Sequence, residues 1–189
     1  MGVELENRSD AEAIDAAVAG DPQAFGELWD RHRDRVFGQA LRLTAVRADA
    51  EDATAIVFLE AWRKRASVRV IDGSILPWLL VTTTNVCRNL HRASRRYRVA
   101  LQHLPPDIDP REPTGADLDL QAALRSLSPT DQQLFSLTLE GYSTSEAAEA
   151  VGISPGAART RMTRARERLR KHLSSDLAHS TLSSPEGQR

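Results

Sequence analysis

Apolar residues along this chain recur at three- and four-residue intervals, with little strict alternation, so the pattern predicts helices rather than strands. Asp21-Pro22 opens the first clear run, with aspartate as N-cap and proline at the first helical position. Ala24, Phe25, Leu28, Trp29, His32, Val36 and Phe37 follow at helical spacing, then Ala40, Leu41 and Leu43. The next helix opens on Asp49, Glu51 and Asp52 and closes on Arg63, Lys64 and Arg65, which suits the helix dipole at both ends. Its apolar set is Ala55, Ile56, Phe58, Leu59 and Trp62. A third helix is expected from about Pro77 to Tyr97, with Trp78, Leu79, Val81, Val86 and Leu90 supplying core. The Thr82-Thr83-Thr84 run lowers its intrinsic propensity.

The helical pattern then breaks. Residues 98–116 hold Pro105, Pro106, Pro110, Pro113 and Gly115 with few large apolar side chains, and read as an extended, flexible linker. Past it, Leu120, Ala123, Leu124 and Leu127 make one short helix. Ser128-Pro129 caps the next, which carries Leu134, Phe135, Leu137 and Leu139 and ends at Gly141. The expected fold is all-α: two small helical domains, 10–97 and 117–173, joined by a flexible Pro-rich acidic linker at 98–116. A polar tail at 174–189 is expected to be disordered.

Residues 143–173 carry the most specific local signal. Ser143 with Glu146 forms a capping-box pair, and Gly152 suits the left-handed residue that ends a helix. Ser154-Pro155 starts another, so the second domain contains a helix-turn-helix, whose second helix can lie in a DNA major groove. On that helix Ala158, Met162, Ala165, Leu169 and Leu173 form one apolar stripe. Around it stand seven basic residues (Arg159, Arg161, Arg164, Arg166, Arg168, Arg170 and Lys171) and one acid, Glu167. A basic amphipathic helix is often just a solvated surface; the capped helix-glycine-helix context favours nucleic-acid binding.

Charge adds a second basic patch. The formal net charge of −1 conceals segregation: between Gly73 and Pro106 there is no acid, while Arg88, Arg92, Arg95, Arg96 and Arg98 all fall there. From Asp107 to Asp119 there are five acids against Arg111 alone. Two separated basic patches suggest two contacts with a polyanion. The single cysteine, Cys87, excludes an intramolecular disulfide and fits a reducing cytoplasm. No apolar run reaches the ~20 residues that span a bilayer, and the polar N-terminus lacks a signal-peptide core, so neither membrane insertion nor export is expected.

Catalysis finds no foothold. There is no Walker or dinucleotide glycine motif and no Gly-x-Ser-x-Gly, so no enzyme, cofactor or small-molecule substrate is expected. Cys87 and His91 stand four apart on a helix, but no further ligands lie nearby in sequence, and no metal site is expected. His32, His103, His172 and His179 form no cluster. One reading of these features is a helix-turn-helix regulator that binds duplex DNA by itself. It accounts for the second domain and leaves the basic block at 88–98 and the acidic linker unexplained.

With both domains in view, residues 15–173 resemble the extracytoplasmic-function (ECF) subfamily of bacterial RNA polymerase sigma factors. Ile153 through Arg161, followed by Arg164-Ala165-Arg166 and Leu169-Arg170, is similar to the recognition helix of sigma region 4. Leu127-Ser128-Pro129 and Gly141-Tyr142-Ser143 through Ala148 resemble the helices before it. Ala50-Glu51-Asp52 through Phe58-Leu59-Glu60-Ala61-Trp62 resembles region 2.2. Pro77-Trp78-Leu79 through Asn85, then Arg92 and Arg95-Arg96, resembles regions 2.3 and 2.4.

The resemblance implies core RNA polymerase and promoter DNA as partners, with an anti-sigma factor expected to hold the protein off. It implies minus-thirty-five binding through Ser154, Pro155, Gly156, Ala157, Arg159, Thr160, Arg161 and Arg164. Minus-ten binding falls to Trp78, Asn85, Arg88, Arg92, Arg95 and Arg96, although Trp78 reads first as a core residue. Core-polymerase binding falls to Asp52, Ala55, Ile56, Leu59 and Glu60. Two departures stand out. Ala55-Ile56 replaces the Gln-Glu usual in the clamp-binding helix, which removes a polar contact. The loop at 66–76, the base-capturing loop by analogy, lacks the aromatics that stack on an extruded base.

Overall fold

The computed structural model describes residues 8–101, 123–124 and 126–182. Its helices are α1 (Asp10–Val18), α2 (Pro22–Thr44), α3 (Arg47–Arg63), α4 (Leu76–Leu101), α5 (Pro129–Leu139), α6 (Thr144–Val151) and α7 (Pro155–Leu182). A short 3-10 turn, Arg65–Ser67, follows α3. Helix α1 opens on a capping box: Glu12 N donates to Ser9 Oγ, and the Glu12 carboxylate accepts from Ser9 N. Asp21 caps α2 through Gln23 N and Ala24 N, with Pro22 just inside.

The first core lies between α1, α2, α3 and α4. Leu28, Val36 and Ala40 of α2 meet Ala50, Ala53, Val57, Phe58 and Ala61 of α3. Small residues on α3 bring it close to α2. They also correct its expected apolar set: of that set only Phe58 is buried, Trp62 is half-buried, and Ala55, Ile56 and Leu59 face outward. Trp29 meets Phe58 edge-on at 4.6 Å between ring centroids, and Phe25 meets Trp62 at 5.2 Å. The threonine run is helical because its hydroxyls are used locally. Thr83 Oγ1 donates to Leu79 O and Thr84 Oγ1 to Leu80 O, while Gln39 reaches across from α2 to Leu80 O and Thr84 Oγ1.

One buried acid ties the first lobe together. Asp10, 3% exposed, accepts from Ser74 Oγ at 2.7 Å, from Ile75 N at 2.8 Å and from Arg31, and lies 2.7 Å from His32 Nε2. A carboxylate from α1 thus caps the start of α4 and ties both to α2. Burial pushes its pKa up, but the bonds from His32, Ser74, Ile75 and Arg31 outweigh that and hold it well below the ordinary range.

The second lobe packs onto the first. Leu76 and Leu80 of α4, both fully buried, join Leu134 and Leu137 of α5, Ala147 and Ala148 of α6, and Ala158 and Met162 of α7 in one cluster. Polar contacts flank it: Gln133 Nε2 donates to Asn85 Oδ1 (3.2 Å), and Glu140 lies 3.6 Å from both Arg35 and Arg42. Tyr142 packs against the same cluster, and burial raises its phenol pKa. A smaller cluster seats Ala123, Leu124 and Leu127 on Ala165 and Leu169.

Two boundaries differ from expectation. Helix α4 runs to Leu101, past Tyr97 and into the stretch read as linker. Helix α7 runs to Leu182, so residues 174–182, expected to be disordered, continue the helix; the polar sequence there has neither proline nor glycine to stop it. Leu118, Leu120 and the prolines and acids of the linker lie outside the described residues.

Candidate nucleic-acid interface

The helix-turn-helix is built by its caps. Ser143 N donates to Glu146 at 2.7 Å and Glu146 N to Ser143 Oγ at 3.2 Å, fixing the start of α6. Gly152 ends it at φ +78°, where an L side chain is strained, and Ile153 N closes the turn onto Ala148 O. Ser154 Oγ then accepts from Ala157 N and caps α7. Ala158, Met162, Ala165 and Leu169 are buried, as the sequence pattern predicts.

Every residue expected to face the minus-thirty-five duplex is exposed: Ser154, Pro155, Gly156, Ala157, Arg159, Thr160, Arg161 and Arg164. They are not equally free. Thr160 Oγ1 bonds to Gly156 O, and Arg159 Nε makes a long contact to Pro155 O at 3.4 Å. Arg161 is held by Asp131 of α5 at 3.0 Å.

On α4, Arg92, Arg95 and Arg96 are exposed along one basic stretch. Arg88 is half-buried, and its Nε is enclosed without a hydrogen-bond partner among the described residues. Asn85 is occupied by Gln133 from the second lobe. Trp78 packs against the first core, so its reading as a core residue accounts for its position. On α3, Asp52, Ala55, Ile56 and Leu59 are exposed together, with Leu59 at 46%. Glu60 beside them is half-buried and ion-paired to Lys64 at 2.8 Å. Among the described residues no group of three or more His, Cys, Asp or Glu could hold a metal, and no helix is long and apolar enough to cross a membrane. Cys87 is buried, which pushes its thiol up to about 12.

Sequence reasoning passed over α1, although Ser9-x-x-Glu12 is a legible capping box. It also passed over Asp10 and Asp131, since nothing in a sequence marks which acid will be buried. Gln133 and Glu140, which bridge the lobes, carry no sequence signal for that contact.

An all-helical chain with a basic helix-turn-helix in one lobe, and a basic helix beside an exposed apolar face in the other, defines a two-lobed DNA-binding transcription factor. Sequence comparison gives the family. The Sigma-70 region 2 model matches residues 28–97 and the Sigma-70 region 4 model residues 117–169. The chain is 32% identical over 169 residues to the ECF RNA polymerase sigma factor SigM of Mycobacterium tuberculosis, covering 88% of this chain and 85% of the relative. It is 34% identical over 171 residues to ECF sigma factor SigE of Mycolicibacterium smegmatis, covering 82% and 65%. Among solved structures it is similar to CnrH in complex with the cytosolic domain of CnrY (TM-score 0.65, 26% identity, 89% of this chain and 99% of that one). It is also similar to the sigma factor RpoE in complex with the anti-sigma factor NepR from Bartonella quintana (TM-score 0.55, 25% identity, 82% and 99%). The chain belongs to the ECF sigma factors of RNA polymerase, which are transcription initiation factors.

Proposed function

We propose that the chain is a non-catalytic, cytoplasmic specificity subunit whose two lobes divide the promoter between them. The first lobe, 10–97, engages core RNA polymerase through the α3 face of Asp52, Ala55, Ile56, Leu59 and Glu60, and meets the minus-ten element through Asn85, Arg88, Arg92, Arg95 and Arg96. The second, 117–173, reads the minus-thirty-five duplex with α7. The observation that carries this reading is the pairing of an outward-facing apolar patch on α3 with two separate basic helices. Exposed Ile56 and Leu59 beside Ala55 suit a protein partner, and the arginine rows suit a polyanion. The Ala55-Ile56 departure leaves that partner contact chiefly apolar, with Asp52 and Glu60 at its rim.

Gln133 takes one lone pair of Asn85 Oδ1, so parting of the lobes would free the whole amide for a base. An anti-sigma factor, such as NepR in the complex with RpoE, is the expected antagonist. The test is a pair of variants of the full chain. Leu59→Asp is expected to abolish co-elution with core polymerase while leaving duplex binding by α7 intact, and Arg159→Ala with Arg164→Ala to do the reverse. Equal loss of both activities in either variant contradicts the division of labour.

A further inference from the structure

We propose that Asp131 is a positioning residue for promoter reading: it latches Arg161, which therefore seats α7 instead of reading a base. The inference rests on the reading of α7 as the DNA-contacting helix. Asp131 is 5% exposed, and a carboxylate that deep requires a partner. Its Oδ1 lies 3.0 Å from Arg161 Nη1, and its Oδ2 lies 3.9 Å from Arg168 Nη1. Arg161 and Arg168 stand seven residues apart, so they share one flank of α7, two turns from each other. One acid on α5 thereby touches two turns of α7 and constrains both its roll and its axial position.

That constraint is needed because the apolar seam of α7 is built from Ala158, Ala165, Met162 and Leu169. Two alanines and a pliable methionine resist rotation weakly. The first-turn position of Asp131 explains an acid at the helix N-terminus, yet a dipole effect does not require burial. Arg159 and Arg164, by contrast, have no ion-pair partner among the described residues, and Thr160 is exposed between them. Base reading falls to these three, held in register by the latch.

The experiment uses the full chain and two 30-bp duplexes. One is recovered from a randomised pool by the wild-type protein loaded on core polymerase; the other is its scrambled counterpart. Affinity for each is measured across a salt series at a temperature where every variant is folded by circular dichroism. Asp131→Asn is expected to lower the ratio of selected to scrambled affinity about tenfold. It should also steepen the slope of log K against log salt by about one unit, because the released Arg161 is free to take a phosphate. A residue that only stabilised the fold would lower both affinities together and leave ratio and slope unchanged. Arg161→Lys keeps an ion pair with Asp131 but cannot read guanine bidentately, and its ratio is expected to stay within about threefold of wild type. An unchanged ratio in Asp131→Asn, or a loss in Arg161→Lys as large as in Arg161→Ala, overturns the proposal. If Arg159→Ala and Arg164→Ala also leave the ratio unchanged, the reading of α7 itself has failed, which is a separate result.

Discussion

Asp10 shows how a single side chain can govern a lobe. Four groups from α2 and the start of α4 converge on its carboxylate, and its pKa is held below the ordinary range. A depressed folded-state pKa contributes stability above the unfolded value, about 3.9, that is lost as the pH falls below it. Thermal melts between pH 7 and pH 2.5 are expected to show a decline below about pH 4, and Asp10→Asn is expected to flatten it. Asp10→Ala should cost at least about 3 kcal/mol, because charged and buried donors lose their acceptor together. Cys87 makes the opposite case: its buried thiol stays protonated, and maleimide labelling at pH 8 is expected to be slow until denaturant exposes it. Neither behaviour is legible in the sequence, where Asp10 is one acid among 26. The caps at Asp21, Ser128, Ser143 and Gly152 are legible, because capping is local chemistry carried by residues a few positions apart.

Helices are legible in the sequence where pattern and caps agree, and less so where burial depends on a distant partner. Helix α3 is the clearest example. Its sequence offers Ala50, Ala53, Val57 and Ala61 on one face and Ala55, Ile56 and Leu59 on another, and periodicity alone does not say which turns inward. The structure buries the smaller set, because α2 approaches closely with Leu28 and Val36. Ile56 and Leu59 are thereby left exposed, on the face proposed above to meet core polymerase. The turn between α6 and α7 depends on Gly152 at φ +78° with open space around it, so alanine there meets backbone strain and no clash. Gly152→Ala is expected to lower stability by about 1–2 kcal/mol, measured by urea denaturation, and to weaken duplex binding in step. Wild-type stability in that variant contradicts the turn's proposed role.

At the scale of the molecule, two domains were expected to be joined by a linker, and their mutual packing was not foreseen. Leu76 and Leu80 stand outside the core set that the α4 pattern gives, and only the fold shows that they pack into the cluster shared with the second lobe. The polar clasp of Gln133 and Glu140 spans sequence separations that no local pattern records. Replacing both residues with alanine is expected to loosen the lobes and enlarge the radius of gyration in small-angle scattering; an unchanged radius shows that the apolar cluster alone holds them. The central claim is that this chain directs RNA polymerase to promoters, and run-off transcription tests it most directly. Purified protein is mixed with core polymerase from its host on sheared genomic DNA. Co-elution of the two and discrete transcripts with common upstream elements are expected. DNA binding without polymerase association or discrete transcripts would contradict that claim.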